Sequence, residues 1–496
     1  MVINKIFFLI FLFCPFLSSG QNQVFDFSYK GYKNNQLISA TQMNDGNVLL
    51  SVQGFIQNRF ANATLIKLNR YGKLIDSVII SKDTNIILIN KVIKTPIGYA
   101  AIGQIWRRPK VYFYVAFFDE NLKIIKESEK EVVGGLQELT ADFDRDSNII
   151  VGGGIDERAS GSYTPRLFGA KINKVGDITI VKHQFPIVSN TESPYIGWFD
   201  FMRVKKDSSQ YLYFDGQKIS VVDSNFNAIF SRNMPETVVC PPCDFSTLLL
   251  YSFYPTALRI NDSTYYVAGK GFLQNERVLY VLKMHLYKSK AVLKTFKIPS
   301  IDQGIALHHS IDTTQNGFIY LGGVYNSFFP LSTPTDNTDT TQFILRKLDR
   351  DFNVLWTKQY GKNHFYFMSG VLATDDGGCM MYGQRYDFNS EGLVEGYVLK
   401  VDGNGITSTE TIIPLSISTI SASPNPSNGI FQVNIENVTK ALTYRFFDMR
   451  GSMIKVLQSD ASNPNFDLSF AASGTYIFTV MDGSNLLGKG KILIQK

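Results

Sequence analysis

The sequence predicts an all-β protein, a seven-bladed β-propeller followed by a small C-terminal β-sandwich. Two observations predict the propeller: a unit of about 50 residues recurs along the body, and residues 21–410 show no sustained helical period. Short C-terminal segments that alternate apolar and polar residues predict the sandwich. The predicted organisation is a signal peptide (1–20), a propeller body (21–410), a linker (411–420) and a C-terminal domain (421–496).

The first twenty residues have the composition of a secretory signal peptide. Lys5 is followed by an apolar run from Ile6 to Leu17, and Ser18 and Gly20 supply the small residues of a cleavage site. The run is too short to span a membrane, and no later segment is apolar for 18 residues. Cys14 does not mark a lipoprotein, because Phe13 stands where a lipidation site needs a small residue. We expect an exported chain that starts near Gln21 and has no transmembrane span.

The bulk composition describes an ordinary globular chain. Hydrophobic residues make up 44% of the 496 residues and charged residues 19%, which is enough to bury a core. The net charge is +6, and the basic residues are interspersed with acidic ones rather than grouped in blocks. The sequence therefore gives no indication of nucleic-acid binding.

Each repeat unit contains a tight turn and then an apolar run that ends at glycine. The terminal glycines are 49 to 63 residues apart and mark seven units: Gly54, Gly103, Gly153, Gly216, Gly269, Gly322 and Gly383. A second apolar run, often ending in KLN or KLD, supplies the third strand, and a polar turn leads to the fourth. Units of this length with four strands are typical of propeller blades, with a β-solenoid as the alternative. The stretch VFDFSY (24–29) would complete the last blade and close the ring.

The segments ILRKLDRDFNVLWTKQYG and ATDDGGCMMYGQ carry a family resemblance. They resemble the loosely defined repeat propellers of exported bacterial proteins, a resemblance that implies a fold but no particular function. The body lacks the WD pair of WD40 blades, and its GG pairs are too few for a kelch set.

The C-terminal domain closely resembles the type A sorting domain of the type IX secretion system. Four blocks carry the resemblance in order: SASPNPSNGIFQVNI, YRFFDMRGSMIKV, GTYIFTV and KGKILIQK. The family's motif falls on Pro424, Asn425, Pro426, Gly429, Gly451, Gly474, Tyr476 and Lys496. The resemblance implies export from a Gram-negative bacterium through the type IX machinery, with the protein either released or attached to the cell surface. An ordinary adhesive sandwich domain is the alternative.

Three groups of residues could carry chemistry, and each also has a structural interpretation. Asp142, Asp144, Asp146 and Asn148 alternate as calcium ligands do, although the loop lacks the glycine and glutamate of an EF-hand. A solvated turn is the favoured interpretation, and no other cofactor is predicted. Cys240 and Cys243 have the spacing of a redox pair or a loop disulfide, without the strand-then-helix setting of a redox motif. His183, His285, His308, His309 and His364 show no metal-binding spacing, so core or surface roles are expected.

The longest insertions mostly follow the second strand of a unit, and in a propeller such connections project from one face. That face is the predicted binding face, with candidate residues Trp106, Arg107, Arg108, Tyr163, Arg166, Phe328, Phe329, Arg385 and Tyr386. Trp106 and its basic neighbours could bind an acidic glycan, or they could form a solvated loop.

The sequence contains no catalytic motif. The first functional hypothesis is therefore a surface or extracellular binding protein whose partner is a polysaccharide or another protein. The alternative is an extracellular hydrolase or lyase that acts on glycan or peptide in the central funnel. A redox protein using Cys240 and Cys243 is a third hypothesis.

Overall fold

The computed structural model describes residues 24–32, 34–56, 59–81, 85–156, 165–182, 200–203, 209–214, 218–233, 237–239, 248–261, 263–273, 276–288, 290–296, 303–326, 340–361, 364–386, 388, 393–407, 421–434, 441–449, 453–460, 464–482 and 485–496. Every regular element in these segments is a β-strand. Within them, no helix is long and apolar enough to cross a membrane. The chain divides into two compact units, residues 1–407 and 408–496.

The described part of the first unit contains seven four-stranded meanders, which we number as blades. The chain begins with β1 (Phe25–Tyr29). Blade 1 contains β2 (Asn34–Gln42), β3 (Val48–Ile56), β4 (Arg59–Leu68) and β5 (Leu74–Ile80). Blade 2 contains β6 (Ile86–Thr95), β7 (Gly98–Arg107), β8 (Lys110–Phe118) and β9 (Ile124–Val132). Blade 3 contains β10 (Gly135–Phe143), β11 (Ile149–Asp156), β12 (Pro165–Ile172) and β13 (Ile178–Lys182).

The remaining blades follow the same plan with local additions. Blade 4 contains β14 (Asp200–Arg203), β15 (Gln210–Phe214), β16 (Lys218–Asp223) and β17 (Ala228–Asn233). Blade 5 contains β18 (Thr237–Val239), an extra strand parallel to β22, then β19 (Leu248–Arg259), β20 (Thr264–Leu273), β21 (Glu276–His285) and β22 (Lys290–Phe296). Blade 6 begins with the half-strands β23 (Gln303–Ile305) and β24 (Ile311–Thr313), followed by β25 (Ile319–Tyr325), β26 (Gln342–Leu348) and β27 (Val354–Tyr360). Blade 7 contains β28 (Phe365–Ala373), β29 (Cys379–Tyr386) and β30 (Val394–Val401).

The first strands of the blades surround a common axis. Each contacts the first strand of the next blade, in the order β2, β6, β10, β14, β19, β24, β28, and β28 contacts β2. Strand β1 pairs antiparallel with β30, from Phe25 opposite Lys400 to Tyr29 opposite Gly396, and so becomes the fourth strand of blade 7. The seven-bladed propeller and its closure by residues 24–29 are thus confirmed.

Neighbouring blades are held together by apolar packing. Seven buried hydrophobic clusters each join side chains of adjacent blades, one cluster at each blade-to-blade interface of the described ring. Leu49 of blade 1 and Tyr99 of blade 2, for example, are both fully buried in the same cluster. Burial of apolar area is the main force that closes the ring, since the strands of adjacent blades share few hydrogen bonds.

The innermost strands are interrupted by β-bulges at one level. The register shifts between Leu37 and Ser39, Ile89 and Lys91, Gln137 and Thr140, and Met368 and Gly370. A bulge needs room on the neighbouring strand, and two repeat glycines provide it. A Cβ on Gly103 would lie 1.8 Å from the Leu88 carbonyl oxygen, and one on Gly383 would lie 2.1 Å from that of Phe367. At these two positions the glycine that ends the repeat permits the bulge.

The second unit is the predicted small β-sandwich. One sheet contains β31 (Ser421–Ser423), β32 (Ile430–Asn434) and β35 (Asn465–Asp467). The other contains β34 (Met453–Ser459), β33 (Leu442–Phe447), β36 (Gly474–Asp482) and β37 (Asn485–Ile494), in that spatial order. Aromatic side chains of both sheets meet in one core, where the Phe431 and Phe446 ring centroids are 5.8 Å apart.

Candidate binding face and axial cavity

The two ends of the propeller carry different connections. In each meander the first–second and third–fourth strand connections lie at one end, which we call the turn face. The second–third connections and the links between blades lie at the other end, which we call the insertion face. The strands that precede and follow the long insertions of the sequence end at the insertion face.

Hairpins of the turn face share one hydrogen-bonded turn. In seven of them the side-chain oxygen of an Asp or Asn accepts the backbone N–H groups two and four residues later: Asn69, Asp119, Asp144, Asn173, Asp223, Asp349 and Asp402. The fourth residue of each turn has positive φ, including the buried Leu122, Phe226 and Phe352. A side-chain acceptor and a left-handed residue together close a short hairpin of this kind.

The predicted calcium ligands lie in one of these turns. Asp144 accepts hydrogen bonds from the Asp146 and Asn148 backbone and the Asn148 side chain, and it lies 3.0 Å from the Lys171 ammonium. Burial raises the pKa of Asp144, but the hydrogen bonds from Asn148 and Lys171 outweigh it and the pKa is lowered. No three His, Cys, Asp or Glu side chains converge as metal ligands within the described segments. The geometry is that of a hydrogen-bonded turn, and calcium binding stays a prediction.

On the insertion face, Trp106 and Arg107 lie on a strand end rather than in a loop. Strands β7 and β8 extend to the tip of their hairpin, so only Arg108 and Pro109 separate them. Arg107 makes two hydrogen bonds to Glu129, of 2.5 and 2.7 Å, and its guanidinium lies 4.7 Å from the centre of the Tyr112 ring. Lys110 pairs with Glu131 at 2.7 Å. The Trp106 side chain is 36% exposed and rests against Gly135, where a Cβ would lie 3.1 Å from the indole.

Blade 7 repeats this arrangement at its own strand end. Arg385 pairs with Glu395 at 2.6 Å and donates to Ser28 at 2.9 Å, and its guanidinium lies 4.7 Å from the centre of the Tyr397 ring. Lys30 pairs with the other oxygen of Glu395 at 2.6 Å. The next residue, Tyr386, stacks edge-on against Phe388 with centroids 5.3 Å apart. Both strand ends therefore place an aromatic side chain beside an arginine that is fixed by a glutamate.

Other predicted members of this face are less fully described. Arg166 lies near the start of β12, at the insertion-face end, and only its backbone is described. Tyr163, Phe328 and Phe329 lie outside the described residues, as do Cys240, Cys243 and the signal peptide. Cys379 is a buried thiol in β29, and burial raises its pKa well above the usual value.

A narrow cavity lies at the level of the bulges. Its volume is about 30 Å³, and its lining includes Ile38, Asn90, Glu138, Leu139, His308 and His309. His308 and His309 belong to the interruption between β23 and β24, so they take the place of a bulge in blade 6. The described lining comes from blades 1, 2, 3, 6 and 7.

Glu138 and His308 meet in this cavity although 170 residues separate them. Glu138 Oε2 and His308 Nδ1 are 2.8 Å apart, and their side chains are 15% and 19% exposed. They join blades 3 and 6, which are not neighbours in the ring. The sequence alone predicts a core or surface role for His308 and gives no reason to single out Glu138. The one sequence feature that could have pointed to this contact is the adjacent pair His308 and His309. Glu138 could not be identified from sequence, because it meets His308 only once the ring of blades has closed.

Other titratable groups near the axis are deeply buried. Burial raises the pKa of Asp312 to about 6, against hydrogen bonds donated by the backbone of Ala373 and Thr313. Burial, with the nearby charge of Lys91, lowers the pKa of His309 to about 3. His309 is therefore neutral at physiological pH and cannot act as an acid there.

A second cavity, of about 400 Å³, opens on the turn face between blades 7 and 1. Its charged side chains already have partners within the protein. Asp376 pairs with the buried Lys400, and Arg70 donates to the Asp45 carbonyl at 3.0 Å. Asp375 accepts from Gln315 at 3.2 Å.

The sorting-domain motif residues connect its first turn to its last strand. Asn425 donates to the Lys491 carbonyl at 3.1 Å and accepts from the Leu493 backbone at 2.9 Å, between Pro424 and Pro426. Gly429 has a φ of 112°, and a Cβ there would lie 2.6 Å from Ser469. Tyr476 donates to the Ala472 carbonyl at 2.9 Å, Gly474 begins β36, and the Lys496 backbone bonds to Ser473. Gly451 lies outside the described residues.

Comparison with solved structures returns other all-β folds. The chain is similar to the WD40 domain of Neurospora crassa Pan2, with 11% identity, a TM-score of 0.40, and coverage of 75% of this chain and 90% of that one. It is also similar to the GH93 α-L-arabinofuranosidase of Fusarium graminearum in complex with arabinobiose (10% identity, TM-score 0.39, 77% and 99% coverage). A third is the polysaccharide lyase Uly1 (9% identity, TM-score 0.41, 74% and 90% coverage). TM-scores this low add nothing to the strand pairings described above, and no curated protein matches the chain.

The C-terminal unit has a specific match. The family described as the secretion system C-terminal sorting domain matches residues 421–495, the segment that forms the β-sandwich. The chain therefore belongs to the substrates of the type IX secretion system, which a C-terminal sorting domain directs to the cell surface or the surroundings of a Gram-negative bacterium.

Proposed function

We propose that the propeller is an extracellular binding module that holds a polysaccharide on its insertion face. The observation that carries this proposal is the fixed Trp106 beside the Arg107–Glu129 pair. An indole that is partly exposed on a rigid strand end offers a flat apolar surface at little cost in conformational entropy. Tyr386 beside the Arg385–Glu395 pair offers a second such surface.

The charges of this face favour an uncharged polymer. Arg107 and Lys110 are each neutralised by a glutamate of β9. A neutral aromatic surface suits the apolar faces of sugar rings better than the acidic glycan that the basic sequence suggests. The same face would also suit a protein ligand, since exposed Trp and Arg residues are frequent binding hot spots.

The test compares one exposed aromatic residue on each face. Binding of the full chain to a panel of soluble neutral and acidic polysaccharides is measured by affinity electrophoresis. Trp106→Ala is expected to weaken binding about 30-fold, the effect of a hot-spot residue. Tyr71→Ala, which removes a side chain 59% exposed on the turn face, is the matched control and should bind like the wild type. Equal binding by both variants would contradict the proposal.

The second candidate is an extracellular hydrolase or lyase with its site in the central funnel. A specific observation favours it, the contact between Glu138 and His308 at the axis. A histidine that is oriented by a carboxylate is a common acid–base arrangement.

A further inference from the structure

Two blades carry an aromatic residue at the same position of the insertion face. The position lies on the second strand, three residues beyond the residue that pairs with the bulge of the first strand. In blade 2, Gly103 pairs at the bulge with Ile89, and the count leads to Trp106. In blade 7, the same count leads from Gly383 to Tyr386. The two aromatic residues are therefore structurally equivalent.

Blade 1, which lies between blades 7 and 2, has an aromatic residue at this position too. Val52 faces the bulge of β2, and Phe55 follows three residues later. Only the backbone of Phe55 is described. In blade 6, the count from Gly323 reaches Asn326 instead, whose side chain donates to the Thr340 carbonyl at 2.9 Å. The aromatic residues of blades 7, 1 and 2 are therefore a local feature and not a requirement of the blade.

Tyr32, in the link from blade 7 to blade 1, adds a fourth aromatic ring to this region. Its ring lies over Gly54, where a Cβ would come within 2.2 Å of it. The Tyr32 backbone N–H donates to the Asn35 side chain at 3.0 Å, and its hydroxyl lies 3.4 Å from the Thr64 hydroxyl. The side chain is half-buried. Like the indole of blade 2, this ring is supported by a glycine and held in place.

We call these four residues the aromatic arc: Tyr386, Tyr32, Phe55 and Trp106. Packed sheets lie about 10 Å apart, so an arc over three blades extends over roughly 20 Å. One sugar ring covers a single aromatic side chain, so a ligand that contacts the whole arc must be a chain of several sugars. Contacts along one chain reinforce one another, because after the first contact the others form within the same complex.

Two cations beside the arc are paired within the protein. Lys30, two residues before Tyr32, pairs with Glu395 at 2.6 Å, and Arg107, next to Trp106, pairs with Glu129. The arc therefore favours an uncharged chain that presents flat apolar ring faces at intervals. A β-1,4-linked glucan meets this description, because its ring substituents are equatorial and the chain extends as a ribbon.

We propose that the aromatic arc binds one extended chain of a neutral β-1,4-linked glucan along blades 7, 1 and 2. This inference rests on the proposed function and adds the shape and the length of the ligand. Tyr32 is a contact residue of this site, although the sequence does not single it out. The chain lies on the insertion face and not in the axial cavity, so its binding does not depend on Glu138 and His308.

The test measures how affinity depends on the length and shape of the ligand. The full chain is titrated with cellobiose and with cellohexaose by isothermal titration calorimetry. Cellohexaose is expected to bind at least about 100-fold more tightly than cellobiose, because it reaches several rings at once. In affinity electrophoresis, hydroxyethylcellulose should retard the protein, whereas the α-linked pullulan, which does not form a ribbon, should not.

Variants test which rings contact the chain. Tyr32→Ala is expected to lower the affinity for cellohexaose about 10-fold, whereas Tyr32→Phe keeps the ring and should bind like the wild type. Tyr287→Ala, which removes a side chain 59% exposed on the turn face, is the matched control and should not change binding. Circular dichroism melting shows whether Tyr32→Ala still folds, and Tyr386→Ala is an independent variant with the same expected loss.

Failure of this inference can be told apart from failure of the proposed function. Equal affinity for cellobiose and cellohexaose, with hydroxyethylcellulose still bound, would overturn the extended chain and leave a single contact at Trp106. Binding like the wild type by folded Tyr32→Ala and Tyr386→Ala would do the same. Stronger retention by pullulan than by hydroxyethylcellulose would overturn the ribbon-shaped ligand. If no polysaccharide is bound at all, the proposed function and this inference are both wrong.

Discussion

On the turn face, seven hairpins close with the same capped turn, whereas on the insertion face the second–third strand connections differ in length, for example two residues in blade 2 and seven in blade 7. Each capped turn depends on residues within five positions of one another, such as Asp349 and Asn353. The insertion face instead depends on contacts between distant residues, such as Arg385 with Ser28. We infer that the features that recur in most blades form the structural scaffold of this propeller. The features that occur in only one or two blades form its candidate sites.

The axis shows the same contrast within single strands. The innermost strands repeat a bulge at one level, yet among the described lining residues only blade 3 places a carboxylate there and only blade 6 places histidines. The bulge is therefore part of the scaffold, and the side chain that it carries is free to differ from blade to blade. Substitutions of repeated scaffold residues should consequently affect mainly stability, whereas substitutions of residues found in one blade only should affect mainly activity.

The largest effect is expected where a repeat glycine permits a bulge. Gly103→Ala brings a Cβ within 1.8 Å of the Leu88 carbonyl oxygen, so the backbone must move and the free energy of unfolding should fall by at least about 3 kcal/mol. Gly377→Ala is the matched control, since its φ is +79° but no atom lies within 4 Å. It should cost only the strain of a left-handed alanine, about 1 kcal/mol. Chemical denaturation measures both values, and equal losses would show that steric room is not the role of Gly103.

The second effect concerns Asp312, the buried carboxyl of β24. Burial raises its pKa from 3.8 to about 6, so between these values the folded protein binds more protons than the unfolded chain. The contribution of Asp312 to stability therefore falls as pH rises from about 4 to 6, by about 3 kcal/mol in total. Asp312→Asn cannot titrate. The free energy of unfolding of Asp312→Asn minus that of the wild type should therefore be larger at pH 7 than at pH 4 by about this amount. Chemical denaturation at both pH values measures it. A difference that does not depend on pH would contradict the assignment.

The third effect tests the ion pair of the insertion face. Glu395 is buried and binds both Arg385 and Lys30, so Glu395→Gln leaves a largely buried guanidinium without its charged partner. The expected loss of stability is about 2 kcal/mol. Glu131→Gln breaks the exposed pair with Lys110 and should leave the melting temperature unchanged. If both variants melt alike, the pair in blade 7 does not hold the strand end.

Much of the scaffold could be predicted from the sequence because its rules are local. Turn sequences such as NRYGK and DRDFN contain both the side-chain acceptor and the residue with positive φ. The glycine at the end of each apolar run gives the period, and the period gives the blade count. Closure by residues 24–29 follows from the strand missing in the last unit. The sorting domain could be predicted because its motif is continuous in sequence.

The contact between Glu138 and His308 could not be predicted, because it is not local in sequence. Glu138 and His308 lie in different blades, and the register shift in β10 that directs Glu138 to the axis leaves no mark in the hydrophobic pattern. A regular strand alternation would have placed its side chain between blades. Likewise, the glutamates that neutralise Arg107 and Lys110 come from the fourth strand of the same blade, about 20 residues away.

The smallest effect is expected for a single capped turn. Asp223 accepts hydrogen bonds from the backbone of Asn225 and Asn227, each at 2.8 Å, and from the Asn227 side chain. Asp223→Ala should lower the free energy of unfolding by about 1 kcal/mol, as loss of a helix cap does. Asp223→Asn keeps one acceptor and should cost less. Because the turn is local, neither change should alter polysaccharide binding. A change in binding would mean that the turn face is coupled to the insertion face, and that the repeated turns of this propeller are not scaffold alone.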